Sequence, residues 1–268
     1  MKIGLIGGGA MGEAIVSAVI KAGVAGPAQI NVFDVAAKRA RYLSDTYSVM
    51  LAESPDQAVE GVDFAILAVK PQDFPEAARA LSGKLKAATT ISIMAGVTIK
   101  QLTTALGSEN IVRSMPNTPA QIGEGMTVWT ATPAVGEDAR GGVGQILGAM
   151  GKEAFVPDEK YLDMATGLSG SGPAYVFLFI EALTDAGVHI GLSRDLAATM
   201  ALQTVLGSAR YAEETGCHPA ELRNQVTSPG GTTAEALRAF EAGSFRADVI
   251  AAVVAAYEKS KALGEGGK

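Results

Sequence analysis

Lys2-Ile3-Gly4-Leu5-Ile6-Gly7-Gly8-Gly9-Ala10-Met11-Gly12 follows Met1, and its reading decides the fold. Ile3 to Ile6 is a short apolar run suited to a buried strand. Gly12 to Ala22 continues with the small and apolar residues of a helix. Between them stands Gly7-x-Gly9-x-x-Gly12. Gly7 permits a tight turn, Gly9 lets backbone approach a pyrophosphate, and Gly12 allows close packing of helix on strand. The helix N-terminus beyond offers unpaired N–H groups and a positive dipole end to phosphates. A glycine pattern alone is weak. Here a strand precedes it, a helix follows, and an acidic residue closes the second strand, which together make a dinucleotide-binding motif.

That acidic residue is Asp34, in Asn31-Val32-Phe33-Asp34-Val35. A carboxylate there accepts a ribose 2′-hydroxyl and repels a 2′-phosphate, which leans cofactor use towards NADH. Lys38 and Arg39 are the counterweight, being close enough to reach a phosphate. The structural alternative is that Asp34 merely caps a helix.

Further candidate strands are Gln29–Asp34, Phe64–Val69, Thr89–Met94, Ile111–Met115, Met126–Thr130 and Ala154–Val156, with helices such as Ala36–Thr46 between several of them. Strands separated by helices pair in parallel through right-handed crossovers, giving an α/β doubly wound sheet of Rossmann type over residues 1–157. After Pro157 the strand-like alternation stops. Helices are expected at Lys160–Ala186, Arg194–Glu214, Ala220–Gln225, Ala234–Ala242 and Arg246–Leu263, forming an all-α domain over residues 158–268. Val249, Ile250, Val253, Val254 and Tyr257 have the spacing of a buried stripe. A core so rich in alanine buries little area per residue, and pairing with a second copy would cover more. The alternative is packing on its own nucleotide domain.

Bulk properties narrow the function. Of 268 residues 48% are hydrophobic and 19% charged, an ordinary globular composition. A net charge of -6 with a pI near 5.1 argues against a nucleic-acid partner. The single cysteine, Cys217, can form neither an internal disulfide nor a metal cluster, so no metal is expected and a reducing cytoplasm suits the chain. Five glycines from Gly4 to Gly12 spoil the N-terminal stretch as a signal peptide, and Val249–Tyr257 is too short to span a bilayer. The expectation is a soluble, cytoplasmic protein with no membrane partner.

In an open parallel sheet ligands sit outside the carboxyl ends of the strands. Ala68-Val69-Lys70-Pro71-Gln72 ends the third candidate strand and should face the cofactor, although Lys70 reads equally well as a solvated loop lysine. Ile93-Met94-Ala95-Gly96 and Met115-Pro116-Asn117-Thr118-Pro119 end later strands in the same way and should line the nicotinamide side. In the helical half, Gly167-Leu168-Ser169-Gly170-Ser171-Gly172-Pro173-Ala174-Tyr175 must loosen or kink its helix, and a close helix crossing accounts for much of it. Ser228-Pro229-Gly230-Gly231-Thr232-Thr233 runs into a helix, with the capping-box spacing Thr232-x-x-Glu235. Such a loop also leaves N–H groups free for an anion such as a carboxylate, with hydroxyls alongside. Only His189 and His218 exist, neither with a carboxylate partner in sequence. The oxidation of an alcohol ordinarily needs a positioned base, whereas a protonated C=N is already an electrophile.

These features together resemble the pyrroline-5-carboxylate reductase family, from Lys2 to about Leu263. The most specific segments are Gly167–Tyr175, Asp185-Ala186-Gly187-Val188, and Val226–Thr233 followed by Phe245-Arg246. The resemblance implies a Rossmann domain and an interlocking helical dimerisation domain, with dimers that often assemble further, commonly into decamers. It implies hydride transfer from NADPH or NADH to the imine carbon of Δ1-pyrroline-5-carboxylate, which becomes C5 of L-proline, in the last step of proline biosynthesis. It places the substrate carboxylate on Ser228, Gly230, Gly231, Thr232 and Thr233, with Thr233 as the catalytic residue beside the ring nitrogen. Glu159 and Gln225 match further substrate contacts. On the cofactor side it carries over to Gly7, Gly8, Gly9, Ala10, Met11, Gly12, Asp34, Ala68, Val69, Lys70, Pro71, Ile93, Met94 and Ala95. Two departures stand out. Many members have a small or amide residue at Asp34, often followed by arginine, which suits NADPH; here Val35 follows. Many also carry an adenosine-side asparagine near position 55, where this chain has Pro55.

Two competing readings remain at this point. A two-domain dehydrogenase of the β-hydroxyacid type would need a lysine within a helix of the second domain. The first two helices there offer only Lys160, at the very start. A non-catalytic nicotinamide-binding sensor would lack an anion nest like the one at Ser228–Thr233.

Overall fold

In the computed structural model, which describes residues 1–265, β1 (Ile3–Ile6) leads into α1 (Ala10–Lys21). Next come β2 (Ile30–Phe33), α2 (Ala37–Tyr47), β3 (Met50–Leu51), α3 (Pro55–Ala58), β4 (Phe64–Leu67) and α4 (Phe74–Leu81). β5 (Thr89–Ser92), α5 (Ile99–Leu106), β6 (Ile111–Met115), β7 (Gly125–Ala131), α6 (Glu137–Gly148) and β8 (Gly151–Phe155) follow. The strands form one sheet in the order β3-β2-β1-β4-β5-β6-β7-β8. The chain thus winds outward one way from β1 and then returns to its other side at β4, creating the crevice at which doubly wound sheets bind nucleotides.

The strand residues explain why helices cover both faces. Phe64-Ala65-Ile66-Leu67 of β4 is buried at every position. Phe64 and Ile66 join a core with Leu5, Ile15 and Val32; Ala65 and Leu67 join a second with Ile6, Phe74 and Leu102. A strand apolar on both faces needs cover on both. Leu5, Ile66 and Leu67 are at most 1% exposed, and truncating any one to alanine should cost about 2–5 kcal/mol.

The sequence expectation of a parallel sheet holds for six of the seven strand pairs, and β6–β7 differs by being antiparallel, with Arg113 opposite Thr130. Its connection holds only a 3-10 turn, Thr118–Ile122, which is too short for a crossover helix. Every strand read from the sequence is present within a few residues. The unread β3 is a two-residue exposed edge. In α6, Gly142 abuts the Phe64 ring, where a Cβ would overlap it, so close packing accounts for this glycine of the helix.

Seven helical segments follow among the described residues: α7 (Lys160–Ala165), a π-helical turn (Thr166–Gly170), α8 (Gly172–His189), α9 (Arg194–Thr215), α10 (Pro219–Gln225), α11 (Thr232–Ala242) and α12 (Phe245–Glu265). The single helix expected from Lys160 to Ala186 is therefore interrupted. Ser171 N–H bonds the Thr166 carbonyl five residues back at 2.8 Å, the widened pairing that the glycine cluster permits. By contact the chain groups into two compact units. One is Met1–Ser171 with the residues from Ala255 onward, and the other is Gly172–Val254.

Within the first unit, buried Ser260 donates to Asp163 at 2.8 Å, tying the end of α12 to α7. Within the second, α8 and α9 approach closely, with Gly187 against Ala197. The stripe expected to be buried along α12 is only partly covered by this chain: Val249 is 45% exposed, Ile250 64% and Val254 50%, while Val253 and Tyr257 are half-buried. Phe177 and Leu178 of α8 are likewise exposed. Among the described residues no helix is long and apolar enough to cross a membrane, and no cluster of His, Cys, Asp or Glu could hold a metal.

Candidate functional site

The glycine motif folds as a ligand loop, each glycine for its own reason. Gly7 has φ +100, and a Cβ there would lie 2.6 Å from the Ala68 carbonyl oxygen. Gly12 packs against the Gly7 carbonyl so tightly that a side chain would overlap it. Gly9, the N-cap of α1, is exposed, with nothing within 4 Å of where a Cβ would stand. No side chain caps α1, so the first N–H groups, on Ala10, Met11 and Gly12, have no carbonyl one turn back to bond. This is an open anion site at a helix N-terminus.

Asp34 leaves the end of β2 and grips that loop. Its Oδ2 accepts the Gly8 N–H at 2.6 Å and its Oδ1 the Ala36 N–H at 2.7 Å. It does not cap α2, whose N-cap is Ala36 with no side-chain bond. The helix-cap alternative fails. Arg39 is also engaged: Nε donates to the Gly8 carbonyl and Nη2 to Glu13, and the guanidinium lies 4.8 Å from the Tyr42 ring centre.

Beside the loop lies a cleft of about 680 Å³, lined by Gly7, Gly9, Asp34, Ala68, Val69 and Lys70, among others. Its size falls in the range of small-molecule sites. Pro55 forms part of the wall. Asp73, Glu76, Ala77 and Ala80 also line it and were not anticipated. The signal was available: Phe74, Ala78 and Leu81 have helical spacing and are the buried face of α4, which turns Glu76, Ala77 and Ala80 outward to the cleft. Three carboxylates, Asp34, Asp73 and Glu76, thus face one ammonium group, Lys70.

Of the other expected cofactor residues, Pro71 begins an exposed 3-10 turn. Ile93 continues from β5 beside β4, its N–H bonded to the Leu67 carbonyl at 3.2 Å. Met94 is 2% exposed and its side chain sits in the core, which leaves only its backbone to serve a ligand; Ala95 is half-buried.

Glu159 precedes α7 and is already engaged. Its Oε1 accepts from Arg113 Nη1 at 2.7 Å and from the Ile99 N–H at 2.8 Å. Arg113 has a side chain only 5% exposed and also faces Asp163 at 3.6 Å. In the second unit, Gln225 is the exposed last residue of α10. Ser228-Pro229-Gly230-Gly231 makes a turn closed by Gly231 N–H to the Ser228 carbonyl at 3.1 Å, with Gly230 at φ +68. The turn delivers α11, whose N-cap is Gly231. The capping box expected from Thr232 and Glu235 does not form. Thr232 is already the first helical residue, one place too late to cap, and Glu235 pairs with Arg238 instead. The N–H groups of Thr232, Thr233 and Ala234 therefore lack helical partners, and neither threonine hydroxyl serves as the cap. Of the two histidines, His218 caps α10 through Nδ1, accepting the Ala220 N–H at 3.1 Å, and His189 is an exposed helix end.

Comparison with known proteins decides among these readings. A pyrroline-5-carboxylate reductase dimerisation family matches residues 159–263, and an NADP oxidoreductase, coenzyme F420-dependent, family matches residues 2–96. The pyrroline-5-carboxylate reductase of Synechocystis is 42% identical over 265 residues, covering 99% of both chains. That of Escherichia coli is 42% identical over 98% of each. The chain belongs to the pyrroline-5-carboxylate reductase family. A solved structure of a pyrroline-5-carboxylate reductase from Coxiella burnetii superposes with a TM-score of 0.92 at 36% identity, and a crystal structure of the Plasmodium falciparum pyrroline carboxylate reductase with NADP bound at 0.89 and 35%, each covering 98% of both chains. A prephenate dehydrogenase from Aquifex aeolicus, at 15% identity and a TM-score of 0.55, shares the fold alone. The β-hydroxyacid dehydrogenase reading is not favoured.

Proposed function

We propose that this chain reduces Δ1-pyrroline-5-carboxylate to L-proline. The observation that carries this is full-length similarity to curated reductases of that name, at 42% identity over 99% of the chain. A bound nicotinamide dinucleotide would supply the hydride, which goes to the imine carbon (C5 of the proline formed), while the C=N electron pair passes to the already protonated ring nitrogen and leaves it as the amine. The chain's own residues bind and orient. Gly7 to Gly12, Ala68 to Pro71 and Ile93 to Ala95 hold the dinucleotide, and the open face at Gly9 fits a pyrophosphate.

Asp34 meets the ribose 2′-hydroxyl, and NADH is the preferred cofactor. The carboxylates of Asp34, Asp73 and Glu76 in one wall support this, since they disfavour a 2′-phosphate. The Ser228–Thr233 loop receives the substrate carboxylate, with the free N–H groups of Thr232 and Thr233 as donors. Thr233 hydrogen-bonds the ring nitrogen, and Glu159 and Gln225 complete the substrate contacts. Residues 1–157 serve the dinucleotide, and residues 158–268 serve substrate and dimerisation in a cytoplasmic homodimer that can assemble into decamers. The test is oxidation of NADH and of NADPH, each followed with and without pyrroline-5-carboxylate. Substrate-dependent oxidation is expected, faster with NADH. No dependence with either cofactor would refute the activity.

A further inference from the structure

Arg39 bonds the same loop residue as Asp34, Gly8, yet it is not among the residues that line the cleft. Asp34 takes the N–H of Gly8 and Arg39 takes its carbonyl, so the two side chains flank a single residue. A Cβ on Gly8 would lie 3.5 Å from both the Arg39 stem and the Asp34 Oδ2. Arg39 thus stands on the Asp34 side of the loop, and a guanidinium turned from its present partners would lie near the ribose 2′ position that Asp34 is proposed to meet. It is held by two contacts, the Gly8 carbonyl and the carboxylate of Glu13, one residue past the glycine motif.

Glu13 is itself braced. Its other oxygen accepts from the hydroxyls of Tyr42 and Tyr47, each at 3.0 Å, and Tyr42 also lies beneath the guanidinium. Burial raises the Glu13 pKa, but hydrogen bonds from Arg39, Tyr42 and Tyr47 outweigh it and the net shift is downward. The carboxylate stays charged, and its hold on Arg39 is a charge-assisted one.

We infer that Glu13 determines cofactor choice by latching Arg39 out of the dinucleotide cleft. In this arrangement a cation suited to a 2′-phosphate is present in sequence but held off by a residue outside the cleft lining. The inference rests on the reading that Asp34 faces the 2′ position, and adds that the NADH preference has a second, removable cause.

The test compares wild type, Glu13→Gln, Glu13→Ala, Arg39→Ala and the Glu13→Ala/Arg39→Ala pair. For each, kcat/KM is measured with NADH and with NADPH, beside a melting curve. Freeing Arg39 should raise the NADPH-to-NADH ratio about tenfold in Glu13→Ala, the scale of one charge-assisted hydrogen bond. The rise should be smaller in Glu13→Gln and absent from the double variant. If Glu13→Ala fails to fold, Glu13→Gln, which keeps size and the tyrosine contacts, decides. A ratio that stays within twofold while both cofactors weaken together makes the cluster a loop brace and overturns the inference. The wild-type ratio separately judges the Asp34 reading. A wild type favouring NADPH defeats that reading, while a further Arg39-dependent rise on removing Glu13 still supports the latch.

Discussion

Arg113→Met tests whether the buried network around Glu159 serves the substrate as well as the fold. The side chain of Arg113 is 5% exposed and sits between Glu159 at 2.7 Å and Asp163 at 3.6 Å, whose side chains remain 31% and 21% exposed. Methionine fills much of the same volume and removes only the cation. Two carboxylates then face each other, and Glu159 Oε1 keeps the Ile99 N–H alone. Stripping one partner from a fully buried pair costs about 3–5 kcal/mol; with water reaching both acids, about 2–3 is expected. For a chain of this size that lowers Tm by about 5–10 °C at fixed protomer concentration. If Glu159 also contacts substrate, its loosening should raise KM for pyrroline-5-carboxylate several-fold and change KM for NADH much less. Adding Glu159→Gln to Arg113→Met should restore part of the Tm, since one unpaired charge goes, but not the substrate KM. An unchanged Tm refutes the electrostatic reasoning, and a fall in Tm with unchanged substrate KM removes Glu159 from the substrate site.

Three further outcomes follow from the same geometry. Asp34→Ser should weaken NADH by losing charge-assisted hydrogen bonding of about 1.5–3 kcal/mol and relatively favour NADPH, so an unchanged ratio of the two specificity constants would remove Asp34 from cofactor choice. Thr233→Ala should cost about 1–3 kcal/mol of transition-state stabilisation, roughly ten- to a hundred-fold in turnover, with Thr233→Ser recovering much of it. A fully active, stable Thr233→Ala enzyme would dismiss the residue. Glu13 has its folded-state pKa below the ordinary 4.5, so its contribution is present above that value and is lost as pH falls through the lower, folded one. A plot of Tm against pH should accordingly be flatter on its acid side in Glu13→Gln than in wild type.

Legibility in the sequence followed how local the deciding interaction is. The β1–α1 loop could be read because each glycine's role is set by its own backbone and nearest turn. The strands could be read because Phe64 to Leu67 and its counterparts are apolar throughout. The clamp on Gly8 could not, since Asp34 and Arg39 reach it across 26 and 31 residues. Arg113 gave no sign either: an arginine in Ile111–Met115 looks like a blemish in a strand until Glu159 and Asp163 are brought to it from another element. At Thr232 the motif itself misled. Its spacing to Glu235 satisfies a capping box, but the Pro229–Gly230 turn starts the helix one residue early and gives the cap to Gly231.

The helical half shows why a partner is part of the fold and not an addition to it. Helices α8 and α9 pack on one another through small residues, where Gly187 meets Ala197 and where Ala197 and Ala201 are buried. Small residues permit close approach but remove little area from water. The large side chains are therefore left outside: Phe177 is 61% exposed, Leu178 66%, Met200 51% and Ile250 64%. Isolated exposed apolar residues are ordinary, but several large ones in one helical unit signal an interface. The match of residues 159–263 to a dimerisation family says what kind of surface this is. Sequence periodicity had identified Val249, Ile250, Val253, Val254 and Tyr257 as a stripe to be covered. Three of the five, Val249, Ile250 and Val254, remain exposed, and they belong to the segment that matches the dimerisation family.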